Sequence, residues 1–222
     1  MKIHEEGKKA IIIITIATLV INALSFMFLN EIAAYIILLV TLLLLLLTVN
    51  FYKKPERVYK GDLHGLVNSP TDGKIVAIEK VFEREHLNAE CIKISIFMTI
   101  FNAHSNWVPV TGIVKHYSHV PGNFHAAHLP KSSNENEHSN IVIETPDHGT
   151  ILTKQIAGAL ARRVVTYLKE GETVHIGEPL GFIKLGSRMD IYLPPSCEVM
   201  VSMGEKVWAN ETFIARLVKE QL

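Results

Sequence analysis

Two apolar segments, Ala10 to Leu29 and Ala33 to Tyr52, each run for 20 residues without a charged side chain. As helix, 20 residues cover about 30 Å, the thickness of a hydrocarbon core. Inside lipid every backbone polar group needs a partner within its own segment, which makes helix the expected form of both. Only Asn30-Glu31-Ile32 separates them, so the second span is expected to return antiparallel to the first, with both free ends on one side of the membrane. Lys8-Lys9 precede the first span and Lys53-Lys54 follow the second. This bias places both ends in the cytoplasm. Lys2, Lys8 and Lys9 could also serve as the basic region of a cleaved signal peptide, but the second span favours a retained hairpin, and either choice leaves the rest of the chain on the cytoplasmic side. The expected division is an anchor over residues 1–54 and a cytosolic domain over 55–222, at the inner cell membrane.

Beyond Gly61 the texture changes to short β-branched runs broken by glycine, proline and asparagine, which predicts a β-rich domain. The clearest strands are Lys74 to Val81, Cys91 to Phe97, Gly112 to Tyr117 and Asn140 to Glu144. In the second, Ile92, Ile94 and Ile96 are expected on a buried face and Lys93, Ser95 and Phe97 on the other. Ala159 to Leu168 fits helix or strand, and its Val164-Val165-Thr166-Tyr167 end favours strand. Gly171-Glu-Thr-Val-His-Ile-Gly-Glu-Pro-Leu180 matches Gly204-Glu-Lys-Val-Trp-Ala-Asn-Glu-Thr-Phe213 at Gly, Glu, Val, Glu and a bulky apolar position. Two such copies suit a pseudo-symmetric sandwich of the lipoyl or barrel-sandwich kind, within an α+β class overall. The 22 basic residues balance 22 acidic ones, which leaves no charge excess with which to hold nucleic acid. Cys91 and Cys197 form no disulfide framework and read as reduced thiols.

Between the repeats lies Gly181-Phe-Ile-Lys-Leu-Gly-Ser-Arg-Met-Asp-Ile-Tyr-Leu-Pro194. As a dipeptide Gly186-Ser187 is an ordinary turn. It also has the composition of a self-cleaving junction, because a serine can attack the carbonyl before it, and elimination from the resulting ester followed by hydrolysis leaves a pyruvoyl group. Such a carbonyl forms a Schiff base with an amine and accepts electrons when carbon dioxide departs. This block resembles the processing site of the phosphatidylserine decarboxylase family in its short, membrane-anchored, archaeal-type form. Four further blocks carry the resemblance in the same order: Ser69-Pro-Thr-Asp-Gly73, Phe101-Asn-Ala-His-Ser-Asn-Trp-Val-Pro109, Lys131-Ser-Ser-Asn-Glu-Asn-Glu137 and Gln155-Ile-Ala-Gly-Ala-Leu-Ala-Arg-Arg163. Together they cover roughly residues 64–217.

The resemblance implies cleavage between Gly186 and Ser187 into a large chain, 1–186, and a small chain, 187–222, that remain a heterodimer. Residue 187 becomes the pyruvoyl cofactor, and phosphatidylserine in the membrane is the substrate, converted to phosphatidylethanolamine. It implies that Asp72 supports self-cleavage and that His104 handles the proton replacing carbon dioxide. Trp107 stands where the long family form has a second histidine credited with activating the serine, so Asp72, His104 and water all remain candidates for the base. Arg162, Arg163, Lys184 and Arg188 are candidate partners of the headgroup phosphate and carboxylate, and each equally fits a structural charge. His138 stands where related short forms tend to have arginine, with no assigned role. His116/His119 and His125/His128 have ligand-like spacing, but no cysteine or carboxylate cluster completes a site, and no metal is expected. Two rival readings remain: a non-enzymatic membrane-anchored scaffold or adaptor of the same fold, and a decarboxylase of another amino-acid headgroup.

Overall fold

The first apolar run begins and ends in capped helices. In the computed structural model, which describes residues 2–59, 61–127, 132–159, 163–184 and 186–218, β1 (Lys2–Ile3) leads into α1 (Glu5–Phe28), and α2 (Glu31–Phe51) ends just before β2 (Lys53–Lys54). The connection is shorter than the three residues expected. Asn30 accepts the Ala33 N–H at 3.0 Å as N-cap, and Glu31 suits the positive end of the helix, so both Glu31 and Ile32 join α2. Asn22 donates to Thr41 Oγ1 at 2.8 Å and Phe26 meets Tyr35 edge-on, joining the two helices. At the open end β1 pairs with β2, and the His4 N–H reaches the Tyr52 carbonyl at 2.8 Å. Ile13, Leu19, Met27 and Leu39 point outward with about two-thirds of their surface free. Both helices are long and apolar enough to cross a membrane, where such a surface meets hydrocarbon rather than water.

Residues Met1–Glu56 form one unit and Arg57–Leu222 a second. The second contains β3 (Leu66–Asn68), β4 (Gly73–Glu83), β5 (Ala89–Phe97), β6 (Ser105–Trp107), β7 (Gly112–Val120) and the single turn α3 (Ser132–Glu135). It continues with β8 (His138–Glu144), β9 (Thr150–Ile156), β10 (Val164–Thr166), β11 (Thr173–Val174), β12 (Pro179–Ile183), β13 (Arg188–Leu193), β14 (Glu198–Val199), β15 (Lys206–Val207) and β16 (Phe213–Arg216). An antiparallel sheet runs β11-β7-β8-β9-β13-β5-β4-β15, beside two three-stranded sheets, β10-β12-β6 and β14-β16-β3. The four strands read from the sequence are β4, β5, β7 and β8, each extended by a few residues, and the Val164 run is strand. The Ala159 end of that stretch runs into residues 160–162, which lie outside the described residues.

The repeat read from the sequence is a pseudo-two-fold of the backbone. Gly171 donates to the Val114 carbonyl and Gly204 to the Ile75 carbonyl, while Val114 and Ile75 donate back to Glu172 and Glu205. Both glycines sit at φ near +80°, where a Cβ is strained. β7 and β4 each open on a glycine and bulge two residues later, and β12 and β16 also share a bulge. Thr111 Oγ1 accepts the Ile176 N–H at 3.1 Å, and in the other half Asp72 Oδ1 accepts the Ala209 N–H at 3.0 Å.

Ile75, Ile94, Ile96, Ile141, Ile143, Ile151, Met189 and Ile191 fill the shared core. The opposite face of β5 differs from expectation. Ser95 is buried, as are its neighbours across the sheet, Asp190 and Lys154. Arg188 reaches the Ala127 carbonyl and Ser133 bonds Asp190, so a crossing segment covers this polar face, which strand alternation alone does not reveal. Cys91 and Cys197 are free and buried, and burial pushes both thiols up, Cys197 to about 11. Neither is a thiolate at neutral pH.

At the β4–β5 turn the buried Glu83 carboxylate accepts N–H groups from Glu85, His86 and Leu87. Burial alone would raise this carboxyl, but the three N–H donors outweigh it and hold the group below its ordinary range. Its contribution to stability is therefore present above about pH 4.5 and lost as pH falls through the lowered value. Glu83→Gln is expected to lower the thermal midpoint at pH 7 and to narrow that deficit below pH 4, measured by unfolding scans of the detergent-solubilised chain.

Candidate active site

The link from β12 to β13 crosses from a three-stranded sheet into the eight-stranded one, and Gly186-Ser187 lies on it. Gly186 has φ +69°, the left-handed region that glycine enters without a steric penalty. Ser187 is fully buried. Its carbonyl accepts the Met98 N–H at 2.9 Å, and its hydroxyl faces Met98 Sδ at 3.8 Å. On the other flank the Gly186 carbonyl lies against Gly158, just past the end of β9. The junction is thus held between extensions of the two strands that pair with β13. Leu185 lies outside the described residues.

His104 reaches this link through β6. Ser105 pairs with Phe182, and the His104 carbonyl accepts the Ile183 N–H at 3.2 Å, three residues before Gly186. The ring is buried, with Nδ1 at 3.0 Å from the Asn102 carbonyl. A carbonyl only accepts, so Nδ1 carries the proton and Nε2 the lone pair of the neutral ring. Gln155 braces the same strand. Its oxygen accepts from Ser139 and Thr166, and its nitrogen donates to Asn106 and to the Val165 carbonyl.

Asp72 is placed differently from Ser187 and His104. Its carboxylate is buried and, among the described residues, bonds Arg57 through both oxygens, at 2.5 and 3.3 Å, and the Ala209 N–H. The link toward the junction runs through its neighbour: Thr71 Oγ1 contacts the same Met98 sulfur that Ser187 faces. Arg57 also pairs with Glu211 at 3.1 Å. Sequence reasoning missed Arg57, because within Lys53-Lys54-Pro-Glu-Arg57 it reads as one more flanking cation. It missed Gly158 as well, since a glycine beside Ala157 carries no signal of what approaches it.

The four candidate cations separate. Arg188 is consumed within the protein by Asp190, Ser133 and the Ala127 carbonyl. Arg163 is exposed and Lys184 half-buried, their backbones joined from the Lys184 N–H to the Arg163 carbonyl. Arg162 lies outside the described residues. His138 is buried, hydrogen-bonds the Asn136 carbonyl and is pushed below its ordinary pKa chiefly by burial, so it is a neutral structural group at pH 7. His116, His119 and His125 each face a carboxylate, those of Glu170, Glu137 and Glu135. His128 lies outside the described residues.

Breaking the partly buried Arg57–Asp72 pair should be costly, because it strands a carboxylate in a site with one remaining N–H donor. Arg57→Ala is expected to lose about 3 kcal/mol of stability, with Arg57→Lys intermediate because one ammonium cannot serve both oxygens. Denaturant titration of the two variants beside the parent checks this order.

A family model described as phosphatidylserine decarboxylase matches residues 44–215. The phosphatidylserine decarboxylase proenzyme of Parabacteroides distasonis is 49% identical over 220 residues, covering 99% of this chain and 100% of that relative. Those of Phocaeicola vulgatus and Cytophaga hutchinsonii are 47% and 41% identical, covering 98% and 97% of this chain and 96% and 98% of theirs. With a family model matching residues 44–215 and relatives more than 40% identical along nearly their whole length, the chain belongs to the phosphatidylserine decarboxylase family.

Proposed function

We propose that this chain cuts itself between Gly186 and Ser187 and then decarboxylates phosphatidylserine to phosphatidylethanolamine at the cytoplasmic face of the inner membrane. The observation that carries the reading is the junction itself: a left-handed glycine and a buried serine, held on a crossover between two sheets. Ser187 gives up its hydroxyl proton and attacks the Gly186 carbonyl carbon; the C–N bond breaks and the nitrogen takes up a proton, leaving an ester. Loss of the Ser187 α-proton then expels the Gly186 carboxylate, and water releases ammonia from what remains. The pyruvoyl carbonyl so formed at residue 187 supplies an electron sink for an amine-bearing carboxylate.

The rest falls to side chains already in place. Small chain 187–222 would begin with β13, which pairs with β5 on one side and β9 on the other, and its β16 pairs with β3. These ladders hold the two products together as a heterodimer after the backbone is cut. His104, whose Nδ1 donates to the Asn102 carbonyl, presents Nε2 as the atom that first takes up a proton and then passes it to the product. Asp72 acts in maturation through its turn, whose Thr71 shares Met98 with Ser187. Among the described residues, Lys184 and Arg163 are the candidate cations left for the headgroup phosphate. The anchor keeps the domain at the surface where its substrate is concentrated.

Intact mass spectrometry of the purified chain should find a small chain beginning at residue 187 with a blocked, pyruvoyl-type amino end. Ser187→Ala should remain whole and inactive, and an uncut parent chain after prolonged incubation with membranes would favour the scaffold reading. His104→Ala should still be cut but lose about 100-fold or more in kcat. Asp72→Asn should instead slow the cutting. Lys184→Ala should raise KM for phosphatidylserine vesicles more than it lowers kcat.

A further inference from the structure

We infer that Gly158 is a positioning residue for self-cleavage: its missing side chain forms the seat that fixes the orientation of the Gly186 carbonyl attacked by Ser187. The inference rests on Gly186-Ser187 being the cut site. A Cβ on residue 158 would overlap the Gly186 carbonyl oxygen and stand 2.8 Å from its carbonyl carbon, both backbone atoms with no side-chain freedom to yield. Retreat is closed on another side, where the same Cβ would come to 3.1 Å from Ala127 Cβ.

The seat is itself held firmly. Asn136, fully buried, donates to the Ala157 carbonyl at 2.7 Å, and the Ala157 N–H reaches the Glu137 carbonyl at 2.9 Å. Asn136 is fixed in turn by bonds to the His125 N–H and carbonyl. On the opposite flank Met98 holds the Ser187 carbonyl. The two reacting residues are therefore registered separately, the serine by Met98 and the carbonyl by Gly158. An acyl shift needs the hydroxyl oxygen over one face of a planar carbonyl, and displacement by about 1 Å can cost about 100-fold in rate. Once the bond is cut, Gly186 becomes a free carboxylate detached from residue 187. Gly158 then has no part in turnover.

That asymmetry provides the test, made on the full-length chain in detergent by following uncut and cut masses with time. Gly158→Ala is expected to cut about 100-fold more slowly than the parent, while kcat per mole of cut chain, with phosphatidylserine vesicles as substrate, stays at the parent value. Cutting at the parental rate would overturn the inference, as would a fall in kcat per cut chain by the same factor, which marks a general structural defect. Asn136→Asp keeps the side-chain shape and the acceptor for His125 but cannot donate to Ala157. It should cut roughly tenfold more slowly, and a parental rate in this variant overturns the inference even if Gly158→Ala fails to fold. A parent chain left whole between 186 and 187 refutes the reading of the cut site itself, and this is visible before any variant is made.

Discussion

Arg188 to Leu193 pair with β5 on one side, and Arg188 to Tyr192 also pair with β9 on the other, and the rest of the molecule depends on this double pairing. It makes the segment after the junction the central strand of the largest sheet. It also brings Met98 and Gly158, which continue the two flanking strands, to either side of Gly186-Ser187. A backbone that ends at a newly made chain terminus would ordinarily fray. A chain beginning at residue 187, as proposed, would start inside two hydrogen-bonded ladders over a core of Ile94, Ile96, Ile151, Met189 and Ile191, so its first residue would keep its position.

The junction combines rigidity with a locally unusual backbone. Strained or left-handed residues persist where their surroundings over-determine them; Gly158 lies against the Gly186 carbonyl, and Met98 holds the carbonyl of the following Ser187. The polar groups on the outer face of the same strands add to it. Arg188, Asp190 and Ser133 form a buried charged cluster that ties Ala127 and Ser133 to β13. Ala127 follows His125 by two residues and Ser133 precedes Asn136 by three, so the cluster stabilises the same region that holds Gly158 in place. Buried ion pairs of this kind add little net stability but fix geometry where every lone pair finds a donor.

Much of this was legible in the sequence because it is local. The uncharged 20-residue runs, the alternation of Ile92, Ile94 and Ile96 and the Gly-Glu-x-Val repeat each depend on residues a few positions apart. The block around Ser187 was legible through resemblance. What stayed hidden was set by contacts between distant segments. Arg57 meets Asp72 across 15 residues and Glu211 across far more, Gly158 meets Gly186 across 28, and Asp190, the cross-strand partner of Ser95, meets Ser133 across 57. Spacing rules describe one element at a time. They assign Ser95 to the polar face correctly and cannot say that this face is covered.

The pseudo-two-fold makes an internal comparison possible. At corresponding turns, Thr111 accepts the Ile176 N–H and Asp72 accepts the Ala209 N–H. An uncharged hydroxyl thus closes this turn in one half of the domain, which means that the turn does not need a carboxylate to form. The negative charge at residue 72, and the arginine recruited to neutralise it, are additions that architecture alone does not explain. A backbone built twice but charged once has its asymmetry concentrated in the half that carries Asp72, and the pseudo-two-fold supplies a second, neutral copy of the same turn against which that charge can be weighed.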